Sequence, residues 1–525
     1  MASASEVVLD RDLCAQEPIH IIGQTQSYGL LFALSEPDLI VRQLSNNVGA
    51  FIGLDESAIL GCSIERVFGP SQLELFQTRL RSNDLSAASP FVVELGNPAR
   101  QMNCVVHRHD EMLILELESR EGAVSTDTLT LLSIAVNTPA LLSEYRQSYD
   151  FERLCAVTAD TIRALSGFDR VLIYRFDAEW DGCVVAASVA AGTQTYLGNY
   201  FPASDIPAQA RHLFLTNVMR AIADIDEPSA AIVPEINPQT GRPLDLSRSF
   251  LRTPSAMHLE FLRNWGVRAS LTVSVIVDDQ LWGMVACHHP TPLRLDCATR
   301  SICELIGRNL GLQVGVKKAV EKQQQQELAR HLLDELHEDL LTSATCIDAR
   351  SVARPRLLEI LDADGVVIQF GGHSSSLGKT ISAEQLRPII GKLRAQAVRG
   401  IASSKILSGL DASAETYAKV ASGALYVGLA ASSGDYLLFL RGEREEIIRW
   451  AGNPDKSVSM DLEGKLHPRT SFAEWYQSLR GRSRPWSDIQ LETARDLREQ
   501  LIDVRDLHIS ALAVEIEDGA AKVRE

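Results

Sequence analysis

The chain has 525 residues, a net charge of −17 and a pI near 5.3, with 45% hydrophobic and 23% charged residues. These values suit roughly three globular domains and exclude a general phosphate-binding face or attachment to anionic membranes, which need clustered Lys and Arg. No run reaches the about 18 apolar residues of a membrane span, and "MASASEVVLDRDL" lacks the layout of a signal peptide, so a soluble, cytoplasmic protein is expected.

Nine cysteines stand singly, without any C-x-x-C pair. Their odd number and spacing fit neither a disulfide framework nor a zinc site, and most read as small buried apolar residues. Cys14 differs, because Arg11, Asp12, Gln16 and Glu17 surround it. It is a lone thiol in a polar leader. His20 is near in sequence and could serve as a base, but nothing fixes the two together.

"YGLLFALS" (28–35) and "DLIVRQLS" (38–45) read as strands around a Glu36-Pro37-Asp38 turn. Helical pieces follow near 55–60 and 71–80, then the strands "FVVELG" (91–96), "MNCVVHRH" (102–109) and "MLILELE" (112–118). This predicts a small α+β domain with an antiparallel sheet. One helix begins near Ser125 and another covers about 146–166. "RVLIYRFD" (170–177), "GCVVAASV" (182–189), "ASLTVSVIV" (269–277) and "QLWGMVACHH" (280–289) are strands, the last two a hairpin around Asp278-Asp279. Between them, the irregular and proline-rich 190–268 is a candidate binding region.

From about Arg300 to Leu341 apolar residues recur at helical spacing, among them Leu305, Leu310, Val316, Leu328 and Leu336. A helix of that length exceeds the usual three to four turns and suits a spine between domains that packs against a partner. "GVVIQFGG" (365–372), "GALYVGLA" (423–430) and "DYLLFLRG" (435–442) are the strands of a third domain. "KLHPRTSFAEWYQSL" (465–479) reads as a loop leading into a helix, and an amphipathic helix from about Ser487 carries Leu491, Ala494, Leu497, Leu501 and Val504.

In "YFPASDIPAQARHLF" (200–214), Asp205 lies between Pro202 and Pro207. The prolines predict a stiff, extended backbone at Asp205 and a helix with Pro207 in its first turn. On residues alone, the stretch is equally a proline-bounded helix start with an exposed carboxylate. His258 in "MHLEFLRNWGV" reads as a core histidine, and His288 and His289 in "CHH" face opposite ways on a strand. No metal site is expected. No nucleophile elbow, phosphate-binding loop, dinucleotide fingerprint or ATP-binding box is present, so no enzyme is expected within these residues. His331, His337 and His508 on helices lack an ATP-binding domain after them and are not assigned as phosphoacceptors.

Cys14 ahead of "PIHIIGQTQSYGLLFAL", then "YRFD", "PASDIP", "LRTPSAMHLEFLRNWGVRASLTVS", "LWGMVACHH" and "HPRTSF" occur in one order. In that order they resemble the photosensory core of a bacterial phytochrome over nearly the whole chain. The resemblance implies an α+β fold of three tandem domains joined by long helices: a leader plus PAS domain (1–125), a GAF domain (126–315) and a PHY domain (316–525) with a tongue at about 445–478. It implies a leader knotted through a GAF loop, and biliverdin, a linear tetrapyrrole, thioether-linked to Cys14.

By the same resemblance, Asp205 offers its backbone carbonyl to the pyrrole N–H groups and its carboxylate to the tongue. His258 meets the ring nitrogens through a water, and His288 bonds the D-ring carbonyl. Arg220 and Arg252 hold one propionate and Ser270 and Thr272 the other, while Tyr174, Phe201, Ile206 and Met257 line the chromophore. Phe214 and Phe261 stand where many relatives carry tyrosine, which removes a hydroxyl at each position. Light would isomerise the bilin. The Asp205–Arg469 pair would then give way to Ser471, the tongue would turn towards helix, and the terminal helix would pass the change to an output domain or response regulator. A homodimer through the long helices, parallel or antiparallel, is implied too. The alternatives are a GAF-type small-molecule or cyclic-nucleotide sensor without photochemistry, the sensory part of a histidine kinase, and a helical scaffold dimer.

Overall fold

The computed structural model describes residues 17–81, 90–96, 99–125, 133, 136, 151–342, 354–370, 373–429, 434–456, 458–461 and 466–503. Cys14, Val504, His508 and most of the segment after Ser125 lie outside the described residues. The chain divides into two compact units, Met1–Lys317 with Arg449–Trp475, and Lys318–Ile448 with Tyr476–Glu525.

The strands predicted for the first unit all form, and four short ones join them, one in the leader and three in the 190–268 stretch expected to be irregular. They are β1 (Gln24–Gln26), β2 (Gly29–Ser35), β3 (Ile40–Ser45), β4 (Phe91–Leu95), β5 (Arg100–His109), β6 (Met112–Ser119), β7 (Arg170–Phe176), β8 (Gly182–Val189), β9 (Asn199–Phe201), β10 (Met219–Ile222), β11 (Ser229–Val233), β12 (Ala269–Val277) and β13 (Gln280–His289). Its helices are α1 (Val48–Ile52), α2 (Glu65–Leu80), α3 (Phe151–Ser166), α4 (Ala208–Thr216), α5 (Ala256–Asn264) and the start of α6 (Cys297–Thr342).

The first sheet has the order β1-β11-β3-β2-β6-β5-β4. Its core holds Leu30, Phe32, Phe76, Leu115 and their neighbours. β11 comes from the 190–268 insertion, outside this domain's own run of sequence, and β1 from its leader. Gln24–Gln26 pair antiparallel with Ser229–Ala231, while Gln26 N–H donates to Leu251 O and Thr253 N–H to Gln24 O. The leader therefore runs between two limbs of the 190–268 insertion.

The second sheet orders β10-β12-β13-β7-β8-β9, and Arg449 and Trp450 continue it, parallel to Asn199 and Tyr200. Period-2 alternation gives this sheet two apolar faces. Val171, Ile173, Leu271, Val273, Val285 and Cys287 face a core shared with α3 and the first turns of α6. Leu172, Tyr174, Met284 and Ala286 face the other way, towards the insertion. The predicted hairpin between β12 and β13 turns on Asp278 and Asp279, both at positive φ.

The second unit centres on an antiparallel sheet of β14 (Gly365–Phe370), β15 (His373–Gly378), β16 (Ile401–Ser404), β17 (Gly423–Gly428) and β18 (Tyr436–Arg441), ordered β15-β14-β18-β17-β16. Helices α7 (Arg354–Ile360) and α8 (Ala383–Gln396) accompany it. One face meets Leu333 and Leu336 of α6 together with Ala494, Leu497 and Leu501. The other meets Leu386, Ile389 and Leu393 of α8.

Four strands are described in the tongue, β19 (Glu446–Ala451), β20 (Val458–Met460), β21 (Leu466–Pro468) and β22 (Glu474–Leu479), and a helix follows from 488. The helix expected after the HPRTSF loop is absent, because 474–479 form β22. Its exposure alternates residue by residue, and Trp475 and Tyr476 favour strand over helix.

Candidate functional site

One pocket lies on the insertion side of the second sheet and encloses about 1460 Å³ of space, its mouth included. Every pocket residue named from the resemblance lines it: Tyr174, Phe201, Asp205, Ile206, Arg220, Arg252, Met257, His258, Ser270, Thr272 and His288. Phe214, Phe261 and Trp265 line it too, as do Glu17 and Ile19 of the leader and Val458 and Pro468 of the tongue.

The sheet register explains the convergence. Ser270 of β12 sits opposite His288 of β13, and Thr272 opposite Ala286. Arg220 of β10 pairs with Thr272. All of these point to one face, whereas His289 turns away and its Nδ1 accepts from Asp169 N–H at 3.3 Å. His258 enters from α5, which begins because Ser255 caps it and accepts from His258 N–H at 3.3 Å. His258 thus lines the pocket and is not an apolar core residue.

The backbone at Asp205 differs from expectation. Ala203–Asp205 form a 3₁₀ turn, flanked by Pro202 and Pro207 in extended conformation. A proline restrains itself and the residue before it, which here means Phe201 and Ile206. Asp205 stays free to turn. Pro207 caps α4 from outside its first turn.

Arg220 donates to Ser249 O at 3.3 Å, Phe250 O at 3.1 Å and Arg252 O at 2.5 Å. Arg252 donates to Ile19 O at 2.8 Å, which ties the leader to the pocket rim, and its Nε is buried without a partner. Burial pulls Arg220 down to about 10. Burial and the neighbouring Arg220 together pull Arg252 to about 8. A guanidinium stays charged at neutral pH, so this corner holds two desolvated cations in mutual repulsion. A carboxylate ligand is what such a corner suits.

Burial, and then the two arginines, push His258 down to about 4. His288 is held well below the histidine range by burial and then by Arg170. Both imidazoles are neutral and can each donate one hydrogen bond. The remaining walls are apolar and aromatic, as in small-molecule sites generally. A linear tetrapyrrole with two propionates fits this donor set of paired cations, neutral imidazoles and an aromatic pair, Tyr174 and Phe201, whose ring centroids lie 5.2 Å apart.

The tongue closes one side. Arg469 Nη2 lies 2.5 Å from Asp205 Oδ2 with both side chains buried, and Nη1 donates to Ala451 O. The Arg469 guanidinium also stands 4.5 Å from the Phe472 ring. His467 Nδ1 meets Glu260 Oε1 at 2.8 Å and Nε2 meets Asp461 Oδ2 at 3.1 Å, and both contacts raise its pKa. Ser471 is exposed and accepts from Ala473 N–H at 3.4 Å. Asp205 in this structure pairs with Arg469.

Sequence reasoning missed Trp265, Arg170 and Phe472. The Trp265 ring lies 4.4 Å from His288 and stacks on Phe472 at 5.2 Å. The signals available were positions inside motifs, Trp265 in "RNWGV" and Phe472 in "HPRTSF", and for Arg170 its place at the start of "RVLIYRFD".

Residues 329–509 match the family model described as the phytochrome region, 14–120 that of a PAS fold and 150–317 that of a GAF domain. The chain is 31% identical over 520 residues to cyanobacterial phytochrome A of Nostoc sp., across 97% of this chain and 67% of that protein. It is 34% identical over 500 residues to a bacteriophytochrome of Xanthomonas campestris pv. campestris, across 93% and 78%. A solved bacteriophytochrome of R. palustris superposes with a TM-score of 0.83 at 32% identity, over 94% of this chain and 98% of that one. The Stigmatella aurantiaca phytochrome photosensory core module gives 0.80 at 34% identity, over 95% and 98%. The chain belongs to the phytochrome family of light photoreceptors and carries its PAS-GAF-PHY photosensory core.

Proposed function

We propose that this chain is a red/far-red photoreceptor that holds biliverdin in the described pocket, thioether-linked to Cys14, and converts reversibly between two states. One observation carries the reading. Residues scattered from 174 to 288, chosen by motif alone, line a single cavity together with the leader and the tongue. Cys14 precedes Glu17 at the pocket by three residues, and three residues span at most about 11 Å, so its thiol is tethered within reach. We also propose that the leader passes through the insertion as a knot.

Bound there, the bilin supplies a light-driven isomerisation of the double bond between its C and D rings. The chain's residues do the rest. Arg220 and Arg252 would hold one propionate, and Ser270 and Thr272 the other. His258 and the Asp205 carbonyl would face the ring nitrogens, and His288 would donate to the D-ring carbonyl. Arg469 leaves Asp205 in the second state and Ser471 replaces it as the tongue turns towards helix. Driving a two-state element from 1:99 to 99:1 takes about 5.5 kcal/mol, within reach of breaking one buried pair and refolding one hairpin.

The chain is in this reading a cytoplasmic sensor and not an enzyme. Among the described residues no helix is long and apolar enough to cross a membrane. Leu305, Leu312, Val316 and Leu328 are exposed on α6 and form the proposed homodimer stripe. The chain spans 67% of the Nostoc relative, and a kinase or response-regulator output is proposed for the whole protein.

The test is to mix the protein with biliverdin, record absorbance and look for zinc-induced fluorescence on a denaturing gel. A red-absorbing, gel-stable adduct is expected that bleaches and recovers under alternating red and far-red light. Cys14→Ser should lose the gel fluorescence and keep red absorbance from non-covalent pigment. Wild-type protein without any red-absorbing species would leave a small-molecule GAF sensor as the better account.

A further inference from the structure

Arg170 is buried beside the pocket, and among the described residues it makes no ion pair. A buried guanidinium without a carboxylate costs several kcal/mol, so its position calls for a function. β7 and β13 place it directly opposite His288. Its Nε lies 3.3 Å from His288 Nδ1, and its guanidinium stands over the Trp265 ring at 4.5 Å and the Tyr196 ring at 5.2 Å. Tyr196 and Trp265 are fixed to each other, since Trp265 Nε1–H donates to the Tyr196 hydroxyl at 3.0 Å. Two rings thus hold the guanidinium, and the guanidinium meets one nitrogen of one histidine.

We propose that Arg170 is a positioning residue that locks His288 in the neutral tautomer protonated on Nε2. An arginine donates and never accepts. Nδ1 facing it must therefore carry a lone pair, and the single proton of a neutral imidazole goes to Nε2, the nitrogen left for the pocket. This rests on the proposed function in one respect: the lock matters because a donor, not an acceptor, must face a ligand carbonyl. Without Arg170 both tautomers become accessible and half of the function of His288 is left to chance. Of the other groups facing His288, His258 of α5 is neutral, Ser270 of β12 can donate or accept, and Trp265 presents its ring. Arg170 alone among these is a donor only.

The experiment uses the full chain without pigment, labelled with 15N-histidine, and assigns His288 by its loss in His288→Gln. In the wild type a single tautomer with unprotonated Nδ1 is expected throughout pH 6–8. Arg170→Met should lose the single-tautomer signature, and Arg170→Lys, again a donor only, should restore it. If Arg170→Met does not fold by thermal melting, Arg170→Gln, whose amide can donate or accept, should give the mixture. Protonated Nδ1 in the wild type, or an unchanged single tautomer in both the Met and Gln variants, overturns the proposal. Biliverdin is then added. A shifted red band in the Met variant, recovered in the Lys variant, extends the lock to the ligand, whereas no red band in the wild type defeats the proposed function and leaves the tautomer result standing.

Discussion

Asp205 and Arg469 form a charge pair whose side chains are 5% and 3% exposed. Burial pushes the Asp205 carboxyl up to about 6, and the Arg469 charge and hydrogen bond work against that rise. A carboxyl ordinarily titrates near 3.9. Between those two values the folded chain holds a proton that the unfolded chain has released, so this group's contribution to stability falls as pH rises through the window. At neutral pH the ionised form costs on the order of 3 kcal/mol. The pair is therefore a poor staple, yet it suits a switch, because losing Arg469 strands the buried carboxylate until another partner takes its place. Arg469→Ala should drive the Asp205 pKa further above about 6 and leave a protonated carboxyl at pH 7. Infrared titration of the carboxyl C=O stretch, assigned with Asp205→Asn, reads this directly. A pKa that does not move would mean that the tongue's charge does not govern Asp205.

Among the elements, α6 comes close to β12 because two of its residues lack a side chain. A Cβ at Gly311 would lie 2.5 Å from the Ile276 carbonyl oxygen, and one at Gly307 would lie 2.5 Å from Val273 Cγ1. Alanine gains about 1 kcal/mol over glycine inside a helix, but overpacking costs about 1–3 kcal/mol, and a backbone carbonyl cannot rotate aside. Gly311→Ala should thus lower stability by about 1–2 kcal/mol. Gly391 in α8 has nothing within 4 Å of its Cβ position, and Gly391→Ala should raise stability by up to about 1 kcal/mol. Thermal melting of the two variants gives opposite signs if close approach, not propensity, decides. The elements themselves were largely legible. β7, β12 and β13 are short, nearly continuous apolar runs and β8 alternates, and turn residues bound all four, which marks them as strands of a sheet covered on both faces. The turn at Asp205 and the strand at 474–479 were not legible. A proline's restraint stops one residue short of Asp205, and the tongue strand is short and carries no turn signal at its start.

On the scale of the whole molecule, the candidate site could be read from motif order, since each motif delivers residues from strand, turn or helix to one pocket. Arg170, Trp265 and Phe472 could not, because they meet only through tertiary packing between residues 95 to 207 positions apart in sequence. The same holds for the link between the first sheet and α6. Glu118 of β6 and Arg300 of α6 face each other through two contacts of 2.6 Å, with side chains 2% and 5% exposed. Arg300 Nη1 also donates to Leu295 O at 2.8 Å, and its guanidinium lies 5.5 Å from the Phe250 ring of the insertion. A bidentate, desolvated pair of this kind orients two domains without adding much net stability, because the attraction repays the cost of stripping water from both ions. Removing one partner is different, since it strands a buried charge. Arg300→Met should cost about 3–5 kcal/mol, whereas Glu118→Leu combined with Arg300→Met should cost clearly less than the sum of the single changes. A double-mutant cycle by thermal melting measures the difference as a coupling energy. Additive losses would show that the two side chains are merely neighbours, and that the first sheet and α6 are held together by apolar contact alone.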